Sequence, residues 1–280
     1  MTTSPNAPDL TGKLALVTGS SRGIGKAIAI LLAGRGADIV LNYSSDSPPT
    51  DVQEAIEKLG RACTTVKADM GKPDQIIQMV EEVKKFAAEM AGVASKHSTG
   101  SEAQARPEPR IDILVNNAAI APPSSPITKL RVADYDRAMD INARGPLILV
   151  QALYPYINDG GRIINIGSVS SRLQNPRGDS IYGGSKALLD FFTRAWAAEF
   201  ASRNITVNAV LPGATSTDML YEANAQHGTK EELNAMFAKQ TPMGRVGDPD
   251  DVAQVVAWLS SESARWVTGQ HIMASGGLGV

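Results

Sequence analysis

Cysteine occurs once in 280 residues, so Cys63 has no partner for an internal disulfide. No base stands near it in sequence, and it is read as core packing in a strand rather than as a nucleophile. Histidine is nearly as scarce: His97, His227 and His271 show no ligand spacing, so no metal site is expected. Neither sign of charge dominates. The 27 basic and 29 acidic side chains leave a formal −2, which gives no electrostatic attraction for nucleic acid or an anionic membrane. Long apolar runs are also missing. The stretch 147–153, the longest in an expected helix, falls far short of the ~18 residues that a membrane span needs. Residues 1–9 are polar, with two prolines and no apolar core of a leader, and read as a disordered tail. These absences point to a soluble, cytoplasmic protein.

What is present is a large apolar fraction, 43%, with 20% charged residues, which suits one globular domain over 10–280. Short apolar runs alternate with helical periodicity from end to end. Expected strands are Leu14–Thr18, Ala37–Leu41, Ala62–Ala68, Ile111–Val115, Arg162–Ile166, Ile205–Val210 and Gln270–Met273. Between them lie helical patterns near 23–33, 51–59, 73–90, 132–154 and 181–202, with Pro73 well placed in a first turn. Repeated βα units with near-continuous apolar strands imply a doubly wound parallel sheet, an α/β Rossmann-type fold of three layers. Segment 92–109 breaks this rhythm. Its Ser, Gly, Thr, Pro and scattered charges have no apolar period, and it is read as a disordered surface insertion.

Two local patterns carry chemistry. Thr18-Gly-Ser-Ser-Arg-Gly-Ile-Gly25 joins an expected strand to an expected helix, and glycines there let backbone N–H groups approach a phosphate. Tyr182-Gly-Gly-Ser-Lys186 places a phenol and an ammonium four residues apart, on one helix face. A neighbouring cation favours the phenolate and is expected to draw the tyrosine down from about 10 toward the working pH. Such a pair alone is an ordinary helix face. Here it accompanies the glycine turn, Asn116-Asn-Ala-Ala119 after a strand, Asn142 in a helix and Ser168 at a strand end.

These five features, in this order, resemble the short-chain dehydrogenase/reductase family, and the likeness runs from about Leu10 to Val280. The resemblance implies a catalytic set of Asn142, Ser168, Tyr182 and Lys186. Ser168 would bond a substrate carbonyl and Tyr182 would donate the proton. Lys186 would hold the nicotinamide ribose and lower the phenol, while Asn142 would hold a water that connects Lys186 to solvent. Gly19, Ser21, Gly23, Ile24 and Gly25 would cradle the pyrophosphate, and Asp69 and Met70 would flank the adenine. Asp69 also precedes the helix that Pro73 opens and is able to cap it. Asn116 and Ala118 would meet the ribose side, and Pro212, Gly213, Thr215 and Thr217 would close over the nicotinamide. The sequence departs from the family at Ala119, where glycine is usual, at Thr215, and at Ala274-Ser-Gly-Gly277, where the usual aspartate is missing.

The second strand end bears on cofactor choice. An NAD enzyme places an acid there for the ribose hydroxyls, and this position aligns with Tyr43. Arg22 and Ser44 are instead suited to a 2′-phosphate, so NADP(H) is expected. Residues 214–245, with Met219, Leu220, Tyr221, Leu233, Met236 and Phe237, read as a substrate lid with an apolar, adaptable lining. The expected activity is NADPH-dependent reduction of a ketone on an apolar small molecule, as in the fungal naphthol reductases and acyl-carrier ketoreductases that the strand ending resembles. The alternatives are alcohol oxidation with NAD(P) and a nucleotide-sensing scaffold without turnover. Helices 132–154 and 181–202 carry apolar residues on more than one face (Leu147, Ile148, Leu188, Phe191, Phe192, Trp196), which points to a homotetramer.

Overall fold

The structure, a computed structural model, describes residues 9–97, 109–173 and 179–279. The chain opens with β1 (Leu14–Val17), α1 (Gly23–Gly34), β2 (Asp38–Tyr43), α2 (Thr50–Lys58), β3 (Cys63–Lys67), α3 (Pro73–His97) and β4 (Ile111–Asn116). It continues through α4 (Val132–Met139), α5 (Gly145–Leu153), β5 (Ile157–Ile166), α6 (Ser180–Glu199) and β6 (Thr206–Pro212). Last come α7 (Asp218–Asn224), α8 (Lys230–Gln240), α9 (Pro249–Ser260) and β7 (His271–Ala274). All seven strands form one parallel sheet in the order β3-β2-β1-β4-β5-β6-β7. The order reverses between β1 and β4, which opens a crevice at their carboxyl ends.

Strand alternation builds the three layers. In β1, Leu14 and Leu16 join a core with the buried faces of α3, α5 and α6. Ala15 and Val17, one residue out of phase, join the opposite core with α1, α2 and α9. Helices cover both faces, so the strands are largely apolar, and a single large aliphatic side chain buried here contributes about 1.5–3 kcal/mol. Cys63 is half-buried against the second core, and burial beside Glu57 pushes its thiol up to about 12, as suits packing. No helix among the described residues is long and apolar enough to cross a membrane.

Four departures from the periodicity reading have local causes. The helix expected over 132–154 is interrupted by a π turn at Asp140–Arg144. Pro146 has no N–H for the carbonyl of Asn142, four residues earlier, and the ladder widens there. Helix α3 runs on to His97, into the segment 92–109 that was set apart as irregular; residues 98–108 lie outside the described residues. Residues 1–8 lie outside them too, while Asp9 pairs with Arg35 at 2.5 Å and does not belong to a loose tail. Helix α9 was not anticipated, although Asp248-Pro249-Asp250-Asp251 is a start signal before the apolar positions Val252, Ala253, Val256 and Ala257.

Asp251 closes the capping box of α9 with Asp248 and takes both guanidinium nitrogens of Arg245 at 2.6 and 2.8 Å. The Arg245 bond, with the Asp248 N–H, holds its carboxyl at about 2. Asp251→Ala should cost about 1 kcal/mol in urea unfolding near neutrality. The folded value lies below the unfolded one, so this contribution is complete above about 4 and is lost as pH falls through about 2. The difference between native and variant should shrink over that window; a constant difference would show that charge plays no part.

Candidate active site

The crevice at the β1/β4 reversal is a cleft of about 690 Å³. Its floor depends on backbone meeting backbone. Gly19, at φ +60°, would place a Cβ 2.8 Å from the Ala118 Cα, and a Cβ on Gly25 would strike the Gly19 carbonyl. Thr18 laces the two loops together, its Oγ accepting from the N–H groups of Asn117 and Ala118 at 2.9 and 3.0 Å. Asn117 returns the tie, its side-chain amide donating to the carbonyls of Thr18 and Gly19 at 2.8 and 3.0 Å. Asn42 Oδ1 accepts from the Gly19 N–H at 3.1 Å, and its amide donates to the Ala68 carbonyl at 3.1 Å. The glycine turn is thus held from β2, β3 and β4 at once.

Helix α1 begins at this turn with no side-chain cap on its first N–H groups. Those donors and the positive end of the helix dipole face an open cleft, a seat for a phosphate group. Gly19, Ser21, Arg22, Gly23, Ile24 and Gly25 line it, with Ser44, Asp69, Met70 and Ala118 further along. Arg22 is engaged across the cleft, with Asp218 at 3.0 Å and Glu222 at 3.3 Å on α7. Asp69 accepts from the Gly71 N–H at 2.9 Å and from Arg137 at 2.8 Å, and Arg137 lowers its carboxyl against the opposing effect of burial. Asp69 thus closes the turn at Gly71 instead of capping α3, and it still borders the cleft.

The other half of the cleft handles protons. Ser168 follows β5, and its Oγ accepts from the Ser170 N–H at 3.1 Å. Tyr182 and Lys186 lie one turn apart on α6, whose position against the sheet is set by a buried polar ladder. Asn116 donates to Asn165 at 2.8 Å, Asn165 to Thr193 at 2.9 Å, and Thr193 to the Leu189 carbonyl at 3.0 Å. The Tyr182 hydroxyl lies near Ser168, which pulls the phenol's proton affinity down. Lys186 is 2% exposed, donates to the Ile166 carbonyl at 2.8 Å, and has its Nζ 5.9 Å from the centre of the Tyr182 ring. Burial brings the ammonium down to about 8, against the opposing charge of Asp190.

The phenol departs from expectation. Burial pushes Tyr182 up to about 12, Ser168 pulling the other way and Asp179 adding to the rise. Lys186 donates to the Ile166 carbonyl and makes no hydrogen bond to the phenol among the described residues, so its charge does not offset the effect of burial.

Three expected residues do not line the cleft. Tyr43 turns away while Asn42 and Ser44, on either side of it, border the space. Asn116 is 2% exposed and faces Asn165, so the next residue, Asn117, reaches the cleft instead. Asn142 is fully buried as a clasp: it accepts from the Ile120 N–H at 2.9 Å and donates to the Ile120 carbonyl at 2.9 Å and to Ser185 Oγ at 3.0 Å. Ser185 in turn donates to the Tyr182 carbonyl at 2.7 Å. Asn142 thereby ties the loop after β4 to α6, and no hydrogen bond joins it to Lys186 among the described residues. Period-two alternation along β2 and β4 was the signal that could have chosen Asn42 and Asn117.

Pro212, Gly213, Thr215 and Thr217 line the nicotinamide side of the cleft expected from the family pattern, and Thr217 also caps α7, accepting from the Leu220 N–H at 3.4 Å. Met219, Leu220, Ala223 and Phe237 of the 214–245 segment border the cleft, joined by Leu173 and Leu278. Leu233 is core, and the Tyr221 hydroxyl is bonded to Ser216 and Asn234 at 2.9 and 3.0 Å. No cluster of three His, Cys, Asp or Glu side chains converges as a metal site among the described residues.

A phosphate seat beside a buried Ser-Tyr-Lys group is the construction of a dinucleotide-fold oxidoreductase. Known proteins narrow that class. A family model described as enoyl-(acyl carrier protein) reductase matches residues 19–101 and 97–279. The hydroxynaphthalene reductase-like protein Arp2 of Metarhizium brunneum is 36% identical over 289 residues, covering 99% of each chain. The short-chain dehydrogenase/reductase FrzI of a Cladobotryum species is 41% identical over 278 residues, covering 97% of each. Among solved structures, the angucycline C-6 ketoreductase LanV with bound NADP superposes with a TM-score of 0.83, at 37% identity over 97% of each chain. The same enzyme with bound NADP and rabelomycin gives 0.80 at 37% identity, over 97% of this chain and 98% of that one. The chain belongs to the short-chain dehydrogenase/reductase family and is an enzyme of its single-domain form.

Lys186 offers a test of this electrostatic picture that needs no substrate. Its folded value of about 8 lies below the ordinary lysine value of 10.5, so between the two the unfolded chain holds the extra proton and stability rises with pH. Urea unfolding of native protein against Lys186→Met should show the native gaining about 3 kcal/mol over that window. A pH-independent difference would mean the ammonium is not desolvated.

Proposed function

We propose that this protein reduces a ketone on an apolar, aromatic or polycyclic small molecule to the alcohol, with NADPH as reductant. The observation that carries the reading is the Ser168–Tyr182 hydroxyl pair, at the carboxyl edge of the sheet, between a phosphate seat and an apolar wall. The relatives support it: LanV is a ketoreductase with bound NADP, and Arp2 is hydroxynaphthalene reductase-like. Leu173, Met219, Leu220, Ala223, Phe237 and Leu278 would enclose the carbon skeleton, and burying it there supplies binding energy without directional demands.

Bound NADPH supplies the hydride to the carbonyl carbon. Ser168 donates a hydrogen bond to the carbonyl oxygen, and Tyr182 gives its proton to that oxygen as negative charge builds on it. A phenol held near 12 is fully protonated at neutrality, which is the form that a donor needs. The Lys186 ammonium stabilises the tyrosinate left behind, so turnover falls as that ammonium loses its proton above about 8. Asn142 keeps α6 and the loop after β4 in register for this transfer. The reverse oxidation uses the same atoms.

Tyr182→Phe removes the proton source with little change in packing. NADPH-consuming reduction of β-tetralone should fall by at least about 10²–10⁴-fold, with NADPH still bound as seen by fluorescence. Native turnover in the variant would sink the assignment.

The preference for NADPH rests on Arg22 and on the lack of an acid at Tyr43. Arg22 would exchange its exposed partners Asp218 and Glu222 for the 2′-phosphate. NADPH should bind about ten- to hundredfold more tightly than NADH, and Arg22→Ala should narrow the gap. Equal dissociation constants for the native protein would refute it.

The enzyme is also read as a homotetramer. Trp196 is buried in the core, but Leu147, Leu188 and Phe191 are 40, 40 and 58% exposed on α5 and α6. Light scattering at micromolar concentration should report four chains, and Phe191→Glu should reduce the number. A native monomer would contradict this reading.

A further inference from the structure

Asp190 is a buried acid with no part in the chemistry above. It sits on α6 one turn beyond Lys186, with 6% of its surface exposed. Its Oδ2 accepts from the Ser171 hydroxyl at 2.6 Å, the length of a hydroxyl donating to a carboxylate. The one Ser171 hydroxyl proton has two acceptors within reach, this carboxylate and the Ser168 carbonyl at 2.7 Å, and the anion is the stronger of the two. The other oxygen, Oδ1, is buried and accepts no hydrogen bond.

A carboxylate with one oxygen unpaired in the interior is costly and persists where positive charge faces it. Lys186 supplies that charge from one turn back on α6, and His271 lies alongside. His271, on β7, has Nε2 2.9 Å from the Asp190 carbonyl, which makes that nitrogen a donor, and 4.0 Å from Oδ1. Lys186, on the same helix, feels the Asp190 charge, which opposes the effect of burial on its ammonium. Around Lys186 the facing groups are Tyr182 and Asp190 on α6 and the Ile166 carbonyl of β5, while Asp179 acts on Tyr182. The Asp190 carboxylate thus joins two parts of the site: its Ser171 bond reaches the turn that carries Ser168, and its charge reaches Lys186.

We propose that Asp190 is a positioning residue of the active site, the standing counter-charge of the Lys186 ammonium and the anchor of the Ser168 turn. The proposal rests on the roles assigned above to Ser168, Tyr182 and Lys186. A role confined to holding α6 would lower stability, and with it the amount of active enzyme, without moving the pH at which turnover falls.

The experiment is the pH profile of kcat for β-tetralone reduction at saturating NADPH. Native turnover should fall above about 8. Asp190→Asn keeps the shape and removes the charge, and should move that fall about one pH unit lower. Asp190→Glu should return it toward the native position. An unmoved fall in Asp190→Asn, whatever the height of kcat, overturns the proposal. Asp190→Ser removes the charge in a smaller side chain if Asp190→Asn does not fold. Loss of fold in both also overturns it, because the carboxylate then serves the fold alone. Tyr182→Phe separates the two assignments. If it is inert while Asp190→Asn leaves the profile in place, only the role of Asp190 fails. If it turns over like the native enzyme, the underlying roles fail and the proposal with them.

Discussion

The structure depends on the close approach of two backbone segments at the β1/β4 reversal. Gly19 lies against Ala118 with no room for a Cβ between them, and four hydrogen bonds cross the junction from Asn117 and Ala118 to Thr18 and Gly19. This contact seals the bottom of the crevice and aims the uncapped start of α1 into it. Everything that a phosphate would meet follows from that placement: free N–H groups, a positive helix end and glycines that let a ligand close on the backbone. The polar groups responsible are buried and satisfied by one another, so the loop geometry is held stiffly before any ligand arrives.

The second half of the site is held just as firmly, through helix α6. Polar side chains reach it from two directions, Asn165 from the sheet and Asn142 from the π turn. Both grip it within one or two turns of Tyr182 and Lys186. A buried amide that loses its partner costs about 1–3 kcal/mol, so these ties oppose any slide of the helix along the sheet. Burial then sets the proton affinities, raising the phenol to about 12 and lowering the ammonium to about 8. Both groups are pushed toward their neutral forms, and proton affinities that are nearly alike in water are driven apart, with no hydrogen bond between the two. Desolvation rather than pairing is the dominant effect here.

The family likeness and the geometry agree on the kind of chemistry while dividing the residues differently. Asn142 matches the family pattern in sequence, and in the fold its side chain is spent on Ile120 and Ser185. Arg22 matches a phosphate ligand and is held by two acids of α7, which links the glycine turn to a segment that borders the cleft. Asp190 matched nothing and turned out to sit between Ser171, His271 and the field of Lys186.

What the sequence by itself determined was whatever is encoded over a few residues. Apolar runs of strand length, alternating with helical spacing, specify a parallel sheet covered on both faces. The glycine turn between β1 and α1 and the four-residue spacing of Tyr182 and Lys186 are equally local, and both lie where they were expected. Helix α9 was legible in the same way and was missed because its start signal was not followed. Other features are set by contacts between residues far apart in the chain. Whether Asn116 or Asn117 meets the cleft depends on which face of β4 lies against β5. Whether Arg22 is free depends on α7, nearly 200 residues later. Strand twist, register and helix docking choose the partner of each polar side chain, and no short stretch of sequence carries that information. The chain therefore declared its class of chemistry early, and only its tertiary structure decided which side chains line the cleft and which hold those in place.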